Sequence, residues 1–262
     1  MIRTSTRRGT PINNNVAIRI RYESALEQIV LKMRKDTEKE LSRVFGRDPA
    51  NIEDIFAEDE KKPKSKSFKA KLALAALLLK FQLLFNSSSK KLAMAMFANS
   101  ERYATTAVRS SLYEMTGNIL DVTPLSKIGV MKAEAIVAEN VALIKSIPEQ
   151  YFTQVTSSVM QAISTGVETE LQAKIIKHGD VSERRARVIA SDQVHRAIQS
   201  IAMQKMLDQG FKKFQWVYTY RSKEPRLYHV KRNGHVYRFD QPPLGELPGS
   251  PINCKCVARP VE

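Results

Sequence analysis

Two cysteines, Cys254 and Cys256, are all the thiol chemistry that these 262 residues contain. With one residue between them, a bridge would be strained by the dihedral that an S–S bond requires, which excludes a disulfide framework and fits a reducing compartment. Long apolar runs are also missing. The most apolar stretch, Leu72 to Leu79, stops at Lys80 and resumes only through Phe85. That is well short of the ~20 apolar residues needed to span a bilayer, so it reads as a core or partner helix and no membrane is expected as a partner. The N-terminal arginines run into Asn13, Asn14 and Asn15 and not into the apolar core of a secretory signal, so export by that route is not expected. No glycine-rich phosphate loop, Gly-x-Ser-x-Gly elbow or Cys-His pair with an orienting acid is present, and the expectation is a non-enzyme.

Acidic residues are the other deficit. Lys and Arg number 42 against 27 Asp and Glu, a net charge of +15. Such a bias attracts polyanions over long range, and nucleic acid is the first partner to consider beside a merely solubilising surface. A chain of this length can bury a core without staples.

Residues 1–15 show neither helical nor strand period and read as a flexible basic arm. Tyr22, Leu26, Ile29, Val30, Met33, Leu41 and Val44 then recur at helical spacing, which predicts one long amphipathic helix over 16–46. Residues 47–67 pass from Asp-Glu clusters to Lys61-Lys62-Pro63-Lys64-Ser65-Lys66, a charged linker. A helical region, 68–120, follows as two helices, Phe68 to about Asn86 and about Ser89 to Thr116. The break from Gly117 to Pro124 is expected to be a domain boundary, with residues 121–262 beyond it. There, apolar stripes over 126–209 predict two helices parted by Pro148 and a third capped by Ser182 and ended by Gly210. Arg184, Arg187, Asp192, Arg196 and Lys205 read as its solvated face, and His178 and His195 as surface or capping residues.

The tail, 211–262, holds the only Trp and both Cys among many turn formers. Trp216 to Tyr220 has strand composition, and Asn233-Gly234 predicts a tight hairpin. The fold class expected is mainly α with a small β-rich C-terminal lobe. His229, His235, Cys254 and Cys256 are the residue types of a tetrahedral zinc site, but a C-x-C in an extended segment turns its side chains to opposite faces. Two semi-buried thiols locking a loop, with no cofactor, is the favoured reading; zinc is the alternative. A metal-dependent nuclease centre at His229, Asn233, His235 and Asp240 lacks the carboxylate cluster such sites rest on. Arg226 is expected to pair with Asp240 across the hairpin. Trp216, Arg226, His229, Gly234, Asp240, Cys254 and Cys256 are expected to hold the lobe together.

The ordered succession Asn140-x-x-Leu143-Ile144, Ile147-Pro148, Arg184-x-Ala186-x-x-Ile189-Ala190-x-Asp192-Gln193, Gly210, Trp216, Pro225-Arg226-x-x-His229, Gly234, Phe239-Asp240-x-Pro242-Pro243 and Asn253-Cys254-Lys255-Cys256 resembles the phage Mu F-like family of minor head proteins. The resemblance covers about Leu125 to Glu262. It implies a minor capsid or head morphogenesis protein of a tailed bacteriophage, made in the host cytoplasm and placed at the portal vertex or capsid interior. It further implies portal, major capsid or scaffolding protein and viral double-stranded DNA as partners, and a role in genome packaging or delivery. Arg3, Arg7, Arg8, Lys61, Lys62, Lys64 and Lys66 are then the expected phosphate contacts. Where the family often carries an Asp after the Trp strand and a His-Pro before the cysteine loop, this chain has Ser222-Lys223-Glu224 and Ser250-Pro251, each removing a potential metal ligand. Rival readings are a metal-dependent DNA-processing enzyme and a plain DNA-binding protein.

Overall fold

Four long helices and a three-stranded antiparallel sheet account for most of the computed structural model, which describes residues 7–46, 66–122, 124–167, 169–220 and 224–262. The helices are α1 (Val16–Phe45), α2 (Lys66–Thr116), α3 (Lys127–Thr165) and α4 (Leu171–Asp208). The lobe adds β1 (Lys213–Val217), the short α5 (Leu227–Lys231), β2 (Val236–Arg238) and β3 (Val257–Val261), in sheet order β2-β1-β3. The protein is mainly α with a small β lobe. No helix among the described residues is long and apolar enough to cross a membrane.

The compact units cut across the expected bounds at 47, 68 and 121. One unit gathers the chain up to Tyr22, Leu92–Asn140 and Val188–Glu262; the other gathers Glu23–Lys91 and Val141–Arg187. The expected linker falls mostly outside the described residues, except that Lys66 and Ser67 already belong to α2.

Three helix boundaries differ from expectation. The serines at 87–89 do not interrupt α2. The hydroxyls of Ser87 and Ser89 donate to the carbonyls of Leu84 and Asn86, and fully buried Phe85 and Ala93 on either side favour one continuous helix. Pro148 does not part α3 either. An interior proline costs about 3 kcal/mol through its missing N–H and ring clash, and burial of Ile144, Ile147, Tyr151, Phe152 and Val155 offsets it. Finally, α4 begins at Leu171, so Ser182 lies buried in mid-helix and is no cap. Gly179, which resembles a stop signal, is an approach site: a Cβ there would meet the Arg34 side chain at 2.7 Å. Arg34 in turn bonds Glu38, Asp180 and Glu183 at 2.8, 2.9 and 3.0 Å.

The end of α4 follows the sequence. Gly210, at φ 85, lets Phe211 N–H reach Met206 O and Gly210 N–H reach Leu207 O, the double closure of a left-handed helix stop.

The segment expected to be a flexible arm is, from Arg7 on, an added edge to the sheet. Glu262 N–H donates to Arg7 O, Gly9 N–H to Pro260 O and Ile12 N–H to Ala258 O. Alternate groups of β3 thus face β1 on one side and residues 7–12 on the other. Ile12 is 1% exposed, whereas Arg7 and Arg8 are exposed.

Candidate functional site

Each strand of the lobe is too short to build a core alone, so the lobe packs around the single tryptophan. Trp216 on β1 is fully buried, with Phe214 and Tyr237 rings at 6.5 Å and the His229 ring edge-on at 5.1 Å. The expected two-residue hairpin at Asn233-Gly234 is not what forms. Residues 227–231 coil into α5, because Val230 N–H and His229 N–H both return to Arg226 O. Gly234, at φ 81, then turns the chain into β2, and its N–H donates to Trp216 O. Asn233 Oδ1 accepts from Tyr218 N–H at 2.9 Å. The turn is therefore closed onto β1 and not onto a strand at Tyr228.

That coil carries His229 inward, 3% exposed, and places Arg232 at its end. The Arg232 guanidinium lies 4.9 Å above the Trp216 ring and 4.8 Å above Tyr228, while its Nη1 holds Glu246 Oε2 at 2.7 Å. Glu246 Oε2 is also 3.4 Å from His229 Nε2. Burial pushes the Glu246 carboxyl up, and the hydrogen bonds from Arg232 and His229 outweigh it, holding the group below its usual range.

The other nitrogen of His229 faces the two cysteines. Nδ1 stands 3.6 Å from Cys254 Sγ and 3.6 Å from Cys256 Sγ, with both sulfurs buried and unbridged. The loop resolves the alternation problem of C-x-C. Asn253 takes a left-handed φ of 59, its N–H is held by Asp192 Oδ1 at 2.6 Å, and β3 starts only at Val257. Both sulfurs accordingly turn the same way. The Cys256 thiol donates to Cys254 and lowers its pKa against the opposing effect of burial, with help from the Gly249 and Cys256 amides; the same bond and burial push Cys256 up.

One face of α4 clasps this loop, and sequence reasoning missed it. Ser191 Oγ accepts from Lys255 Nζ, Asp192 receives Asn253, His195 Nε2 meets Cys256 O at 2.9 Å, and Gln199 Oε1 receives Ala258 N–H. Asp192 is buried, as is Lys205, whose Nζ donates to Val122 O at 2.8 Å; neither belongs to a solvated face. His195 is 2% exposed and is no surface residue. His178 is inside α4 with Ser158 Oγ 2.9 Å from its Nε2. The available signal was the spacing of 192, 195 and 199, which puts polar groups on one stripe beside Ala190 and Val194.

Other expectations separate. Arg226 does not pair with Asp240: its Nη2 donates to Ile252 O at 2.9 Å, clamping the cysteine loop, while Asp240 forms a fork with Arg238. His235 is exposed and stands apart from the His229–Cys254–Cys256 group, the one cluster of three metal-ligating side chains among the described residues. The set His229, Asn233, His235 and Asp240 therefore does not converge as a nuclease centre would. Of the expected phosphate contacts, Arg7, Arg8 and Lys66 are exposed, and Arg3, Lys61, Lys62 and Lys64 lie outside the described residues.

Residues 153–259 match the family described as Phage Mu protein F like protein, a span from within α3 through the cysteine loop into β3. A Haemophilus influenzae protein described as uncharacterized is 28% identical over 259 residues, covering 97% of this chain and 56% of the relative. The chain thus spans little more than half the length of that curated relative. No solved structure matches.

Proposed function

We propose that this chain, which carries a Phage Mu F-like domain over residues 153–259, is a minor head morphogenesis protein of a tailed bacteriophage. The family match is the observation that carries the reading. In this proposal the protein sits at the portal vertex or capsid interior, binds portal or capsid protein during assembly, and contacts packaged DNA through its positive charge.

One feature supports that role over free DNA binding and a second over a DNA-processing enzyme. The first is an apolar stripe on α2: Phe68, Leu72, Leu79 and Leu83 are 47%, 57%, 59% and 61% exposed at helical spacing. Nucleic acid offers such a stripe little, whereas a helix or groove of another head protein would cover it. The second is the lobe's buried donor set, which is enclosed by packing and not open to a phosphodiester.

The test is co-expression of the chain with the portal, scaffolding and major capsid proteins of its own phage, followed by particle purification. The expected result is stoichiometric retention in particles or in a portal complex, lost in the Leu79→Glu, Leu83→Glu double variant. Failure of the wild-type chain to enter any assembly would refute the proposal. The DNA contact is checked by affinity against salt: a steep fall reports counterion release from phosphates, and weak, salt-insensitive binding would remove DNA from the reading.

A further inference from the structure

The three inward-facing donors of the terminal lobe converge on one point, their ligand atoms within 4.8 Å of one another. A tetrahedral zinc ion with Zn–N of ~2.0–2.1 Å and Zn–S of ~2.3 Å sets its nitrogen and sulfur ligands ~3.6 Å apart. The two separations from His229 Nδ1 to the cysteine sulfurs are both 3.6 Å. From this coincidence of chemistry and spacing we propose that His229, Cys254 and Cys256 bind one zinc ion, which ties α5 to the loop before β3. The proposal is independent of the role in head assembly.

What surrounds the donors fits a metal ligand better than a buried thiol pair. Metal-bound histidines donate their second ring N–H to a carboxylate, which fixes the tautomer and directs the free lone pair at the ion. Here Glu246 faces Nε2, and Arg232 anchors Glu246 from the other side. With Nε2–H given to Glu246, Nδ1 presents its lone pair toward the two sulfurs. Two thiolates and a neutral imidazole around Zn2+ also form an uncharged unit, which suits a site where every donor is 3% exposed or less.

The donor set selects the metal. Sulfur and imidazole with no first-shell carboxylate suit zinc and disfavour magnesium, calcium and manganese. No fourth His, Cys, Asp or Glu joins the cluster among the described residues, so a water or small anion takes the last corner. His235, which sequence spacing would recruit, is excluded by its position.

The experiment measures zinc in the purified full-length chain by elemental analysis and then replaces it with Co2+. The expected result is about one ion per chain and an intense thiolate-to-cobalt charge-transfer band. Cys254→Ser and Cys256→Ser should each weaken that band, and the double variant should abolish it. Glu246→Gln, which leaves all three ligands in place, should weaken zinc affinity 10–100-fold, and His235→Ala should leave it unchanged. Should the serine variants fail to fold, the wild-type cobalt band and the Glu246→Gln and His235→Ala pair still decide the matter. A chain with less than about a tenth of an equivalent of zinc and no cobalt–thiolate band would overturn the proposal, as would retention of the ion in the double serine variant or a Cys254–Cys256 disulfide.

Discussion

Gln199→Met isolates the clasp between α4 and the lobe's β3 with the neighbouring segment 7–12. Gln199 is fully buried; its Nε2 donates to Ile12 O at 2.6 Å and its Oε1 accepts Ala258 N–H at 2.9 Å. Trp216 stands opposite Ala258 across β1 and β3, and its own N–H and C=O are engaged with His235 and Gly234. The Ala258 amide therefore turns away from β1, and Gln199 satisfies it. Methionine keeps the volume and removes both polar partners, so the cost is that of orphaning a buried donor and a buried acceptor. At about 1–3 kcal/mol each, the sum is about 2–6 kcal/mol. At about 2–4 °C per kcal/mol for a chain of this size class, a loss near 3 kcal/mol lowers Tm by about 6–12 °C. Trp216 fluorescence follows the transition, since it is the sole tryptophan and lies in this lobe. Amide exchange at Ile12 and Ala258 should accelerate at the same time. A variant within about 0.5 kcal/mol of wild type, with exchange unchanged, would refute the claim that Gln199 pins both segments.

Gly9→Ala should detach residues 7–12 from β3, because its Cβ would lie within 3.0 Å of the Ser111 backbone oxygen and Pro260; exchange at Gly9 and Ile12 reads this, and unchanged protection would contradict it. Arg34→Lys should cost about 1 kcal/mol in urea unfolding, since the ammonium cannot reproduce the guanidinium's fork toward Glu38, Asp180 and Glu183. Burial and the neighbouring Lys177 lower the His178 pKa below 6.5, so the unfolded chain binds this proton more readily. The stability of the neutral form is therefore complete above about pH 6.5 and falls as pH drops below it; His178→Gln should flatten that slope, and an unaltered slope would count against the assignment. Leu79→Glu with Leu83→Glu, both more than half exposed, should leave monomer stability within about 0.5 kcal/mol while abolishing head-protein binding.

Helix content and the identity of the terminal lobe were legible because they rest on local signals. Apolar spacing located α1 within a residue of its end, and Trp216, Gly210 and Gly234 carry the roles their types imply. Helix interruptions were misjudged where tertiary burial outweighs a local preference, as at Pro148 and the serines of α2. Ser182 was read as a boundary signal because its burial cannot be seen in one dimension. The same limit hid residues 7–12, whose pairing partner lies at the opposite end of the chain. In the site, residue types pointed to His229, Cys254 and Cys256, but spacing alone added His235 and argued against a shared face for C-x-C. The left-handed turn at Asn253, set by Asp192 on a distant helix, reverses that conclusion. Arg226 was assigned the wrong partner for a similar reason: α5 replaces the expected hairpin and directs the guanidinium to Ile252.

The most direct test of the proposed role in head assembly is quantitative mass spectrometry of purified heads assembled in the presence of this chain. The expected result is a small, fixed number of copies per particle, depleted when Leu79 and Leu83 are both changed to Glu. Heads that assemble and package normally with none of the chain inside them would contradict it.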